Sequence, residues 1–143
     1  LCYNIYSFGA MHDDTGLFCI YAALSQETEA MTIETVCQLI KQFLEEGPTG
    51  EELSRVREQT KAGIFLGMES ILSRMNFYAR SELREGNVLS EDEMLAGYDA
   101  VTTKDVLSLA RELFDFKQMS LSAVGNVRTH AQYKALLRPF MKS

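Results

Sequence analysis

Concentrated positive charge is missing from this sequence: 14 lysines and arginines stand against 20 acids, a formal net charge of -6, and the basic residues are scattered among acidic ones. Nucleic acids and anionic membrane surfaces both require a dense basic patch, so neither is an expected partner. Long apolar runs are missing too. None approaches the roughly 20 residues needed to span a bilayer, and a soluble protein is expected. Cysteine is sparse, with Cys2, Cys19 and Cys37 odd in number and without a C-x-x-C spacing, which indicates neither a disulfide framework nor a zinc ribbon. Free cysteines tend to be buried. Reduced, buried thiols fit a reducing compartment, and the cytoplasm is the expected location. A signal or transit peptide would lie ahead of Leu1, so its absence carries no information.

What is present suffices for a core. With 143 residues and 46% hydrophobic content, a chain of this size buries about 70% of its unfolded surface without needing disulfides. A strand-like run opens the chain, Leu1-Cys2-Tyr3-Asn4-Ile5-Tyr6-Ser7-Phe8-Gly9, with no methionine, cap or polar lead-in before it. The chain is therefore expected to be part of something larger. A second apolar run follows from Leu17 to Leu24, and His12-Asp13-Asp14-Thr15-Gly16 between them supplies turn chemistry, so the pair reads as a β-hairpin.

After Leu24 the period changes. Ile33, Val36, Cys37, Ile40, Phe43 and Leu44 recur at three and four residues, predicting a helix over 32–46 that Gly47-Pro48 ends. Four capping signatures mark helix starts: Thr49 with Glu52, Ser90 with Glu93, Thr102 with Asp105, and Thr129 with Gln132. The aspartate version is the weakest, being one methylene shorter. The helix opening at Thr49 reads as a long one, continuing past Met68, Met75 and Leu83 to a stop at Gly86-Asn87. Gly63 and Gly67 inside it permit either close approach by a neighbouring backbone or a bend, at about 1 kcal/mol each relative to alanine. Met119 to Val127 alternates and predicts a third strand. The expected fold is α+β, an antiparallel sheet of a hairpin plus a later strand packed against several helices, in a single partial domain covering residues 1–143.

Candidate chemistry is thin. His12 and His130 are the two imidazoles, and neither belongs to H-E-x-x-H or H-x-x-E-H, which set two histidines on one helical face beside a glutamate base. His12 beside Asp13 and Asp14 reads as a solvated loop, because consecutive turn residues diverge. Glu45-Glu46, Glu51-Glu52 and Asp92-Glu93 lie at helix ends, and at helix starts the macrodipole accounts for them without catalysis. Gly47-Pro48-Thr49-Gly50 lacks the preceding strand and following lysine of a phosphate loop. Ser7, Ser70 and Ser73 have no legible His-Asp partners, and the methionines are spaced as helix core. No catalytic residue and no metal ligand is assigned.

Five segments in order resemble one family. Leu1-Cys2-Tyr3-Asn4-Ile5-Tyr6-Ser7 resembles the end of a strand with the pattern R-x-x-x-x-G/L-L-x-Y-x-x-x-S. The likeness continues through Asp14-x-Gly16-Leu17-Phe18, Glu69-Ser70-Ile71-Leu72-Ser73-Arg74-Met75, Val101-Thr102-x-x-Asp105-Val106 and Leu121-Ser122-Ala123-Val124-Gly125. Together they resemble the later two-thirds of the second domain of the pitrilysin/insulinase-type zinc peptidases, which include mitochondrial processing peptidases. The resemblance implies a parent zinc endopeptidase or processing peptidase whose two domains enclose a chamber for unfolded peptides. Zinc would belong to the other, N-terminal domain, leaving this chain with no cofactor of its own and inactive alone.

Tyr3 matches a family tyrosine that reaches substrate backbone near the metal; the arginine that accompanies it would precede Leu1. By the resemblance, Tyr3 is the substrate-binding residue, against a plain reading as a half-buried strand aromatic. Expected partners are unfolded peptide, the zinc-bearing domain of the parent, and a second copy of the chain through an uncovered strand edge. Two other readings compete: a non-catalytic structural subunit of the same fold that supports an active partner, and a small-molecule-binding α+β module. An upstream H-x-x-E-H separates the first reading from its rivals.

Overall fold

The computed structural model describes residues 1–12 and 14–141. Asp13, within the expected turn, lies outside the described residues. Strand β1 (Asn4–Met11) pairs antiparallel with β2 (Gly16–Ala23), from Asn4 opposite Ala23 to Met11 opposite Gly16. The His12 N–H donates to Thr15 O at 2.8 Å across the turn. Alternation sends Tyr6, Phe8, Cys19 and Tyr21 to one face, and Ile5, Phe18 and Ile20 to the other. Tyr6 packs on Tyr21 at 5.0 Å between ring centroids, while Phe18 meets Phe114 edge-on at 5.2 Å. Both faces are thus apolar, and most of their large side chains remain exposed.

By its contacts the chain divides into two units, one of Leu1–Glu46 with the chain from Leu109 on, the other of Gly47–Ser108. In the first, the hairpin leads into α1 (Glu29–Glu46), and the chain later closes with α6 (His130–Leu137). Its core is Cys37, Ala110, Tyr133 and Leu137, with burial pushing the Cys37 thiol pKa up. Helix α1 has acids and no base at its C-terminal end, so its carbonyls need an outside partner. Arg111 on α5 (Thr103–Leu113) supplies it, donating to Leu44 O through Nε at 3.3 Å and Nη2 at 3.2 Å.

The expected strand at 119–127 does not form, and the described sheet is two-stranded, within an α+β architecture of six helices. Alternation encodes a willingness to be extended, but a strand exists only beside a partner edge. Here no ladder reaches the segment: Val124 is 99% exposed, and Gly125 turns the chain with φ 124°.

The second unit holds α2 (Gly50–Met68), α3 (Ile71–Glu85) and α4 (Glu91–Ala100). The single long helix expected from Thr49 is in fact two. Ser70 leaves helical backbone at ψ 121° and turns its hydroxyl to accept from Ser73 N at 3.3 Å, so a cap interrupts an unbroken apolar period. Helix α2 runs through Gly63 and Gly67 without breaking, and a Cβ on either would meet open space, so no backbone approaches there. Gly86, at φ 63°, ends α3 as its left-handed cap. Arg57 on α2 donates to Tyr98 O at 3.1 Å and Val101 O at 2.7 Å, closing the end of α4 as Arg111 closes α1. Lys61 meets Asp99 at 2.8 Å, which holds the lysine pKa up.

All four capping signatures form. Thr49 and Glu52, Ser90 and Glu93, and Thr129 and Gln132 bond reciprocally, and the shorter aspartate closes the same loop, with Thr102 N–H donating to Asp105 Oδ2 at 2.8 Å. The hydroxyl and backbone donors of Thr49, Ser90 and Thr102 hold the Glu52, Glu93 and Asp105 carboxyls below their ordinary values. A depressed carboxyl stabilises the fold above its unfolded pKa and loses that contribution as pH falls through the folded value. Helicity followed by circular dichroism should therefore hold above pH 4.5, the ordinary glutamate value, and decline below it. Glu93→Gln should flatten that acid decline while keeping the cap, as Gln132 does in α6. Ser90→Ala should cost about 1 kcal/mol at neutral pH.

Candidate functional site

Tyr3 stands immediately before β1, at the mouth of the hairpin. Its own N–H donates to Ala23 O at 2.7 Å, extending the hairpin pairing by one bond. Two residues earlier, Leu1 O accepts from Thr32 Oγ1 at 3.4 Å, the longer branch of a hydroxyl that chiefly serves Thr28 O at 2.9 Å. The backbone is thus tied on both sides while the side chain is 85% exposed. The side chain is exposed where the plain reading expects a half-buried strand aromatic. A hydroxyl so presented can donate to a carbonyl oxygen or accept from an amide.

Below this strand start lies a polar cluster that the sequence did not reveal. Glu29, 8% exposed, and Thr32 share one face of the first turn of α1. The Tyr133 hydroxyl donates to Glu29 Oε1, and the backbone N–H of Arg128 donates to the same Tyr133 oxygen at 3.2 Å. Arg128 Nε lies 2.8 Å from Glu29 Oε2, a charge pair without hydrogen-bond alignment. Asn126 Nδ2 adds a bond to Gln26 Oε1 at 2.9 Å. Together these groups join the start of α1, the 119–129 segment and α6. The bond to Glu29, with burial second, holds the Tyr133 phenol above its ordinary pKa. The only local hint in the sequence was position: Arg128 directly precedes the Thr129 cap, and Glu29 opens a helix.

The remaining candidates stay apart. His12 sits at the hairpin turn and His130 opens α6, both exposed. Among the described residues, no group of three His, Cys, Asp or Glu side chains could hold a metal ion, so the residues present do not fit a zinc centre. Glu52 and Glu93 are occupied as capping groups. Ser70 is a helix cap. No described helix is long and apolar enough to cross a membrane. The arrangement offers a presented phenol on an anchored backbone.

Residues 1–60 match the family model described as the peptidase M16 inactive domain. The chain is 30% identical over 129 residues to an uncharacterized zinc protease, YmxG, of Bacillus subtilis, covering 89% of this chain and 32% of that protein. It is 32% identical over 129 residues to an uncharacterized zinc protease of Streptomyces coelicolor, covering 90% of this chain and 28% of the relative. A probable mitochondrial-processing peptidase subunit alpha-1 of Arabidopsis thaliana is 25% identical over 134 residues, 94% of this chain and 26% of that protein. The chain thus spans about a third or less of these relatives.

The polar cluster makes two expectations measurable. Arg128→Met leaves a buried carboxylate beside an apolar side chain and should cost about 2 kcal/mol in urea unfolding, less than a fully buried pair because Arg128 keeps 30% exposure of its side chain. Tyr133, whose pKa is raised, gives stability that is complete below the unfolded phenol value and is lost as pH rises through the folded one. Tyr133→Phe should therefore be less sensitive than the wild type to alkaline pH above about 10.

Proposed function

We propose that this chain belongs to the pitrilysin-type (M16) peptidases, within their inactive C-terminal domain, and that it forms part of the substrate-chamber wall of a zinc-dependent endopeptidase. Residues 1–143 are then one portion of that domain. The zinc belongs to the N-terminal domain of the same parent, which is also this portion's principal partner, and an unfolded peptide is the substrate. What supports the reading is the presentation of Tyr3, a fully projecting phenol on a backbone held by Ala23 and Thr32. Facing a bound peptide, that phenol donates to a substrate carbonyl, and to the oxyanion as charge develops on it.

We assign no acid or base to the described residues. Binding and alignment are its contributions: a wall that fixes extended polypeptide, and one donor whose bond strengthens as the carbonyl becomes tetrahedral. In the zinc-containing parent, Tyr3→Phe should lower kcat/KM by about a hundredfold with the fold unchanged, the cost of removing one such donor. An unchanged kcat/KM would sink the role of Tyr3. A parent gene that lacks H-x-x-E-H upstream would instead make this a non-catalytic subunit.

A second copy is a further proposed partner, through the hairpin. Neither β1 nor β2 contains a charged residue or proline, and each has one unpaired edge, the features that protected edge strands avoid. Because both edges are free, the isolated chain should form an open series of assemblies. Light scattering should show a mean mass rising steadily with concentration, whereas a constant monomer mass at high micromolar concentration would argue against edge pairing.

A further inference from the structure

The start of β1 is held from two directions, and the two tethers close a small ring. On the hairpin side the Tyr3 N–H donates to Ala23 O at 2.7 Å. From Ala23 the chain turns through residues 24–28, a turn fastened by the Thr28 N–H and hydroxyl, which both donate to Ser25 O at 3.2 Å. It then enters α1, whose first turn brings Thr32, 4% exposed, to donate to Leu1 O at 3.4 Å. A strand start pinned at one bond can pivot about it, whereas one pinned on both sides of Cys2 has its direction fixed.

The Thr32 hydroxyl is not needed by its own helix. Thr28 O already accepts the Thr32 N–H at 2.9 Å, so the hydroxyl bond to that oxygen, also 2.9 Å, is a second one. Back-bonds of this kind are ordinary for threonine in helices, and Thr35 makes one to Met31 O at 2.7 Å. What sets Thr32 apart is the branch that leaves the helix and crosses 31 residues of sequence to the strand start. Thr32 is itself fixed one helical turn earlier, where buried Glu29 is held by Tyr133 and Arg128. The side chain that ties the strand start is therefore tied in turn to α6 and the segment before it.

We propose that Thr32 is a positioning residue for Tyr3: by holding the Leu1 carbonyl it sets the line along which the phenol projects. The consequence for catalysis rests on the reading of Tyr3 as a donor to substrate, but the tether itself does not. Such a donor counts only when it is already aimed at the oxygen it meets, and a misplacement of about 1 Å can cost about a hundredfold in rate. Thr32→Val keeps the shape of the side chain and removes the hydroxyl, so it isolates the tether. Thr32→Ser keeps the hydroxyl and removes only a methyl group.

Hydrogen exchange and kinetics of the zinc-containing parent test it together. In Thr32→Val the Tyr3 amide should exchange with deuterium about tenfold faster than in the wild type, while protection along the rest of the hairpin is unchanged. The same variant should lower kcat about tenfold at nearly constant KM, because aim matters most in the transition state. Thr32→Ser should restore both readouts, and Thr35→Val, which removes a helix bond of the same kind, should move neither. In a Tyr3→Phe background Thr32→Val should cost no further activity, since no hydroxyl is left to aim. A Tyr3 amide unaltered by Thr32→Val, or a loss of kcat as large in Tyr3→Phe as in the wild type, would overturn the proposal. If Tyr3→Phe keeps full activity while Thr32→Val still frees the Tyr3 amide, the substrate role of Tyr3 falls and the tether stands.

Discussion

The buried carboxylate of Glu29 is the interaction on which the first unit depends. A charge removed from water at the start of a helix is costly unless partners meet it, and two groups distant in sequence converge to do so. Tyr133 brings α6, Arg128 brings the irregular segment before it, and the same helical turn carries Thr32 to the strand start. Apolar packing in this unit is modest, with few large side chains deeply buried. Polar geometry, more than volume filling, therefore decides how these segments meet, and it decides where Tyr3 begins its strand.

Helix ends follow a second rule in both units. At their N-termini, hydroxyl and carboxyl or amide pairs satisfy the free amides from within the local sequence. At the C-termini of α1 and α4, where no base lies in the last turn, an arginine from another helix supplies the cation. The four boxed starts are thus local and the ends of α1 and α4 are tertiary, whereas Gly86 closes α3 from the adjoining chain. Each long-range guanidinium does two things at once: it meets orphan carbonyls and it pins one helix to another.

That asymmetry explains what could be read in advance. The hairpin and the four capped helix starts were legible because a turn and a capping box are complete within a handful of residues. Helix α1 was recognised but begins at Glu29, not Thr32, since its first turn is specified by contacts to Tyr133 and Arg128 a hundred residues away. The strand at 119–127 was misread because its alternation is real and its partner edge is not there. The single helix from Thr49 was misread because Ser70 resembles any small residue in an apolar period until its hydroxyl is seen accepting from Ser73. Tyr3 was legible through resemblance alone; its exposure and its anchored backbone belong to the three-dimensional arrangement.

The burial of Cys37 carries a last consequence. Its thiol is 3% exposed, and burial disfavours the thiolate, whereas Cys2 and Cys19 lie only half-covered on the hairpin side. An alkylating reagent will therefore sort the three: two sulfurs label promptly, and the third only when α1 parts from the helices around it. The lag before the third adduct is a clock for the breathing of this unit, built into the chain and readable by mass spectrometry without a single substitution.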